Sequence, residues 1–184
     1  MKHLRPVTEA DCETLHRWRT LPEVAAYMYS DHEISLEEHR RWFAGLLADP
    51  DRDYRIIQVD GEDVGLVYLF GMDRHHGRIS WGFYLVSPSV RGKGVGSWVE
   101  FTVLDEVFGP RGLRKLCCEV LAFNEAVVGM HQRFGFTVEG TLRSHIHKGG
   151  EHHDVVVLGM LAEDWAAARP AIAARLRAKG VISG

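Results

Sequence analysis

Ile79-Ser80-Trp81-Gly82-Phe83-Tyr84-Leu85-Val86 runs into Ser87-Pro88 and then into Arg91-Gly92-Lys93-Gly94-Val95-Gly96. The first part has the β-branched and aromatic content of a strand, and the proline ends it. Behind the glycines, Trp98 to Phe108 is rich in apolar residues and reads as a helix. Three glycines alternating between a strand and a helix suit anion capture. Glycine lets successive backbone N–H groups approach phosphate oxygens, and the helix N-terminus adds partial positive charge. Arg91 and Lys93 supply further positive charge for a diphosphate.

Working outward, the period of the pattern changes along the chain. A short strand near His3 to Val7 precedes Thr8-Glu9-Ala10-Asp11, a capping-box-like start, and Leu15, Trp18 and Leu21 mark a helical stripe. Pro22 opens a second short helix. Ser35-Leu36-Glu37-Glu38 predicts a capped helix through Trp42, Phe43 and Leu46. From Tyr54 the signal becomes that of strands, with Asp60-Gly61 as a hairpin turn before Val64 to Phe70, and a further strand from Ile79 to Val86. Leu116 to Ala122 is another strand. Asn124 is placed to cap a helix that ends at Gly135, and two strands then flank Lys148-Gly149-Gly150. Asp164 begins a final helix. No repeat or low-complexity linker divides residues 1–184, which predicts a single α/β (α+β) domain with a partly parallel centre.

Composition excludes several classes. Hydrophobic residues at 46% and charged residues at 26% are ordinary globular values. A net charge of -3 argues against a general nucleic-acid binder. Cys12, Cys117 and Cys118 form no disulfide framework, there is no signal-like apolar segment, and no run approaches a bilayer span. These features predict a cytoplasmic protein that uses neither a membrane nor nucleic acid. The histidines at 75, 76, 145, 147, 152 and 153 lack an accompanying set of Cys or carboxylate ligands, so no metal is expected.

Three phosphate loops compete for residues 91–96. The Walker A spacing is absent, and the dinucleotide fingerprint lacks its third glycine, although Glu119 stands where its ribose-binding acid would. The third, R-x-x-G-x-G, is matched by Arg91, Gly94 and Gly96. Asn124-Glu125-Ala126 followed by Met130-His131-Gln132-Arg133-Phe134-Gly135-Phe136 then resembles the N-x-x-x-x-x-L-Y-E-K-x-G-F segment of the GNAT acetyltransferase superfamily. The resemblance covers essentially the whole chain. It implies a GNAT-type domain whose mixed, mostly antiparallel sheet has a parallel central pair splayed to hold acetyl-CoA, with helices on both faces. It implies acetyl-CoA as co-substrate and a homodimer as the assembly.

Within that resemblance, the backbone of Leu85 and Val86 pairs with the pantetheine arm. The amides of Arg91, Gly92, Lys93, Gly94, Val95 and Gly96 hold the pyrophosphate, and Asn124 contacts the cofactor arm. The family's thiolate-protonating tyrosine falls at His131. Two readings follow: an imidazolium that donates the proton, or a neutral helix residue with the thiolate leaving as an anion or protonated by water. Glu119 is the candidate base for the attacking amine, against the alternative of a carboxylate bonded to a neighbouring strand. Tyr84 is a candidate substrate contact.

The first quarter of the chain resembles the nucleotide-sugar N-acetyltransferases of pseudaminic-acid biosynthesis, through Arg19, Pro22 and Val24, then Met28-Tyr29-Ser30, then Ile34-Ser35, Glu38-His39 and Trp42-Phe43. That likeness implies the 4-amino group of UDP-4-amino-4,6-dideoxy-N-acetyl-β-L-altrosamine as acceptor. Arg19, Tyr29 and His39 would contact the diphosphate and uracil of this UDP-amino-sugar, with Trp18, Trp42 and Phe43 in the core. Acetylation of a ribosomal-protein N-terminus, a polyamine or an aminoglycoside is the alternative within the chemistry. A non-catalytic acyl-CoA-binding module is the alternative outside it.

Overall fold

A computed structural model describes residues 1–183. Seven strands form one sheet in the order β1-β2-β3-β4-β5-β7-β6. They are β1 (Lys2–Pro6), β2 (Asp53–Val59), β3 (Glu62–Asp73), β4 (Arg78–Leu85), β5 (Lys115–Leu121), β6 (Thr137–Lys148) and β7 (Glu151–Leu161). Every neighbouring pair is antiparallel except β4 and β5. The helices are α1 (Cys12–Arg19), α2 (Pro22–Ala25), α3 (Leu36–Ala48), α4 (Val95–Phe108), α5 (Glu125–Phe134) and α6 (Ala162–Ala178).

Local chemistry accounts for the turns. Asp60 and Gly61 both have positive φ, as a two-residue hairpin between twisted strands requires, and Gly149 and Gly150 repeat the solution between β6 and β7. Ser35 Oγ accepts from Glu38 N–H at the start of α3. Gly135 closes α5 in the left-handed conformation. Thr8 and Asp11 complete their reciprocal cap, and the Arg5 guanidinium clamps Asp11 at 2.8 Å and Asp63 at 2.6 Å, tying β1 to β3 and to the turn before α1.

Each face of the sheet buries its own core. Ile79, Trp81, Leu116, Cys118 and Leu158 pack under α4, α5 and α6, with Val99, Leu104, Phe134 and Trp165 from the helices. Leu15, Trp18, Phe43 and Leu46 of α1 and α3 cover Ile56 and Leu66 on the opposite face. Helices on both faces therefore seal a sheet whose only parallel step is bridged by α4, as the strand–helix–strand order demands.

Three expectations are corrected. Helix α4 begins at Val95, three residues before Trp98, so Gly96 lies in its first turn. Asn124 precedes α5 without a side-chain capping bond; its backbone carbonyl does the work, accepting from Val127 and Val128. Trp42 is 38% exposed and is not core, unlike Trp18 and Phe43.

Candidate active site

The parallel pairing of β4 with β5 stops early. Arg78, Ile79 and Ser80 face Lys115, Leu116 and Cys117, and no register continues beyond them. The strands diverge from Trp81 and Cys118 onward. Backbone groups alternate sides along an antiparallel ladder, and the Val86 N–H donates to Val64 O of β3 at 2.8 Å. Leu85 therefore turns its N–H and C=O toward the gap. Of the two residues expected to pair with a pantetheine arm, Leu85 is free to do so and the Val86 amide is not.

The glycine loop closes the same gap at one end. Gly92 and Gly94 have φ near +72°, a conformation that L side chains rarely adopt. A Cβ at Gly94 would also stand 2.6 Å from Val181 Cγ2. Arg91 N–H and Lys93 N–H already donate to Pro88 O and Val90 O. The amides left for an anion are those of Gly92 and Gly94 and the first-turn amides Val95 and Gly96, which have no intrahelical acceptor. Beside them lies a cavity of about 330 Å³ lined by Lys93, Arg133, Arg175 and Lys179, with no acidic side chain in its walls. Arg133, Arg175 and Lys179 were not among the expected site residues. Their sequence signal is a gathering of basic residues at the C-terminal ends of α5 and α6.

On the other face, α1, α3 and the chain between α2 and α3 enclose a cavity of about 360 Å³ against β2, β3 and β4. Arg19, His39 and Tyr84 line it together. The sequence reading missed its aromatic walls, Trp42, Tyr54 and Tyr68. Tyr54 and Tyr68 are cross-strand partners whose rings stack 5.2 Å apart. Gly82 makes room for Tyr68: a Cβ there would lie 2.7 Å from the hydroxyl oxygen. Burial pushes the Tyr68 phenol up to about 12 and raises Tyr84 further. Among the described residues Arg19 meets no carboxylate; its guanidinium donates to Ser30 Oγ, and burial lowers its pKa. His39 is buried with Nε2 unpartnered, and burial also lowers its pKa. The one acid in the lining, Glu38, is occupied by His32 at 2.9 Å.

Tyr29 is not in that lining. Its hydroxyl donates to Glu119 Oε2 at 2.7 Å, on the exposed side of β5 past the end of the β4–β5 pairing. Lys148 of β6 holds the Tyr29 segment by donating to Ala25 O and Ser30 O, each at 3.0 Å. Glu119 is thus bonded to a tyrosine across the gap, not to a neighbouring strand. His131 lies on the opposite face of the sheet, buried, with Nδ1 2.7 Å from Glu100 Oε1 and its ring 5.5 Å from that of Trp81. Asn124 is half-buried at the start of α5.

Residues 3–137 match the family described as acetyltransferase (GNAT) domain. The chain belongs to the GNAT acetyltransferase family. It is an acetyl-CoA-dependent N-acetyltransferase, and the expectation of a non-catalytic acyl-CoA-binding module falls with that result. The chain is 30% identical over 132 residues to an uncharacterised N-acetyltransferase derived from the SPbeta prophage of Bacillus subtilis, covering 71% of this chain and 73% of the relative. It is 25% identical over 153 residues to spermidine N(1)-acetyltransferase of Escherichia coli K12, covering 83% and 82% of the two chains. The structure of spermidine N-acetyltransferase from Vibrio cholerae in complex with CoA and spermine superposes with a TM-score of 0.82 at 20% identity, covering 90% of this chain and 98% of that one.

The residues of this GNAT domain fit acetyl-CoA. Open amides and four cations suit its phosphates, and the unpaired Leu85 backbone suits its amide-bearing arm. Bound there, it supplies an activated acetyl group as a thioester. Among the described residues no helix is long and apolar enough to cross a membrane, and no three metal-ligating side chains converge.

Proposed function

We propose that this GNAT enzyme acetylates a primary amine carried on an anionic molecule, and that a UDP-linked amino sugar is its acceptor. The observation that carries this reading is Arg19, a half-buried cation with no acid partner in an aromatic-walled cavity. A desolvated guanidinium favours a ligand that brings the missing negative charge. His39 Nε2, also unpartnered, offers a second polar contact, and Trp42 and Tyr54 offer flat faces for a base or sugar.

Most of the expected site residues receive a role in this proposal. Gly92, Gly94, Val95 and Gly96 hold the pyrophosphate by backbone, with Arg91 and Lys93 contributing charge. Leu85 and Asn124 hold the pantetheine arm. Glu119, its Oε2 fixed by Tyr29, removes a proton from the acceptor ammonium so that the nitrogen lone pair can add to the thioester carbonyl. Tyr84 contacts the acceptor from β4. Strand β6, one of the two edge strands of the sheet, is available for the homodimer.

Spermidine is the competing acceptor, because the Escherichia coli relative bears that name. A polycation would bring positive charge against Arg19, with Glu38 already held by His32. Turnover of the UDP-amino-sugar and of spermidine, followed by CoA release and product mass, separates the two. Arg19→Ala is expected to lower kcat/KM for the sugar about 10- to 100-fold while the KM for acetyl-CoA holds. Efficient acetylation of spermidine, with no acetylation of anionic amines, overturns the reading.

A further inference from the structure

Tyr29 is not held in place by its own chain neighbours. Residues 26–35 belong to no helix or strand. The turn that follows α2 ends with the bond from Met28 N–H to Ala25 O, and beyond it the amides of Tyr29 and Ser30 find no backbone acceptor among the described residues. Fixing such a segment costs conformational entropy, so a side chain that reaches across the gap from β5 needs support from elsewhere.

The support comes from the hairpin between β6 and β7. Lys148 Nζ donates to Ala25 O and to Ser30 O, each at 3.0 Å, so that one ammonium bridges both ends of the stretch carrying Tyr29. Its acceptors are neutral carbonyls, 123 and 118 positions away in the chain. The next residue, Gly149, donates its N–H to Asp31 Oδ2 at 3.1 Å. Holding a long lysine side chain in one geometry costs rotamer freedom, which two charge-assisted hydrogen bonds offset.

A run of rings closes the circuit. Tyr27 packs on Phe123 with centroids 6.0 Å apart, Phe123 packs on His153 at 5.3 Å, and His153 Nε2–H donates to Lys148 O at 3.2 Å. Phe123 lies just past β5, whose Glu119 is paired with Val157 of β7. Both partners of the Tyr29–Glu119 bond are therefore referenced to one hairpin: Glu119 through the β5–β7 ladder, and Tyr29 through Lys148 and Tyr27.

We propose that Lys148 is a positioning residue for acetyl transfer, fixing Tyr29 from the β6–β7 hairpin and through it the carboxylate of Glu119. The inference rests on the reading of Glu119 as the base, and not on the identity of the acceptor. In the step it serves, the acceptor ammonium gives its proton to Glu119 Oε1 and the nitrogen lone pair is freed to add to the thioester carbonyl. Tyr29 keeps its own proton on Oε2, and Lys148 transfers none. Its effect is on geometry alone, where small misplacements of a reacting group are costly.

The full chain is tested as Lys148→Met, Lys148→Arg, Tyr29→Phe, Glu119→Gln and the double variant Lys148→Met/Tyr29→Phe, with whichever amine the wild type accepts, spermidine included. Lys148→Met is expected to lower kcat about five- to tenfold while the acetyl-CoA KM stays within about twofold. Lys148→Arg, which can still donate to both carbonyls, is expected to keep at least about half of wild-type kcat. The double variant is expected to lie within about twofold of Tyr29→Phe, because the two side chains act in series. Carbon NMR of ring-labelled tyrosine supplies a readout that needs no acceptor. The Tyr29 signal, identified by its loss in Tyr29→Phe, is expected to move in Lys148→Met as it does in Glu119→Gln. Wild-type kcat in Lys148→Met, losses that multiply in the double variant, or a Tyr29 signal unmoved in Lys148→Met overturns the proposal. Full kcat in Glu119→Gln overturns the base reading instead, whatever the Tyr29 signal does.

Discussion

The Tyr29 hydroxyl takes one oxygen of Glu119 and leaves the other for a substrate nitrogen. Glu119→Gln is expected to lower kcat about 100-fold or more, and Tyr29→Phe about tenfold, because the phenol orients the carboxylate without accepting the proton. Steady-state kinetics with the accepted amine checks both; equal losses would place the phenol in the proton transfer itself. The sequence named Glu119 and Tyr84 and grouped Arg19, Tyr29 and His39 at the acceptor; the structure keeps Arg19 with His39, adds Tyr84, and moves Tyr29 onto Glu119. Tyr29 is separated from Glu119 by 90 positions, and no local pattern reports such a pairing. Glu100 was invisible for a different reason. One acid within an apolar helical run reads as a solvated face until a buried partner is found. Trp42 was misassigned because periodicity marks the inward stripe of a helix and cannot tell a packed interior from the wall of a cavity.

At the scale of elements, the junction from β4 to α4 was the most legible part of the molecule. Positive-φ glycines and a proline leave few alternatives for the backbone between a strand and a helix. The length of the β4–β5 pairing was not legible, since it depends on where two distant strands diverge. Gly96 allows the loop to be tested without disturbing the fold. A Cβ there would meet Phe83 and Met130 at 3.5 and 3.8 Å, ordinary contact distances, and the residue lies within α4. Gly96→Ala is expected to keep or raise the melting temperature, because alanine favours a helix by up to about 1 kcal/mol over glycine. It is expected to weaken acetyl-CoA binding about tenfold by placing a methyl group over the gap. Calorimetric titration beside thermal unfolding checks the pair of outcomes. Gly94→Ala is expected to fail on both counts, given its positive φ and its approach to Val181.

For the whole molecule, two sets of interactions govern stability under different conditions. The Arg5 clamp holds the Asp11 and Asp63 carboxyls below their usual range through its hydrogen bonds. Their contribution is complete above the unfolded carboxylate value of about 3.9 and is lost as pH falls through the lower folded values. Arg5→Met is expected to cost about 2–3 kcal/mol at pH 7 and much less near pH 2, measured by urea unfolding across pH. Acetyl-CoA is expected to raise stability by about 2.7 kcal/mol at one hundred times its Kd. Thermal shift against cofactor concentration checks this. The three aligned residue pairs between β4 and β5 are the narrowest join in the sheet. Mechanically they form a seam: tension applied across the strands would tear β1–β4 from β5–β7–β6 along that line. A pantetheine arm bonded to the bare edge would act as a rivet, so that the force needed to rupture a single molecule becomes a gauge of whether its donor is aboard.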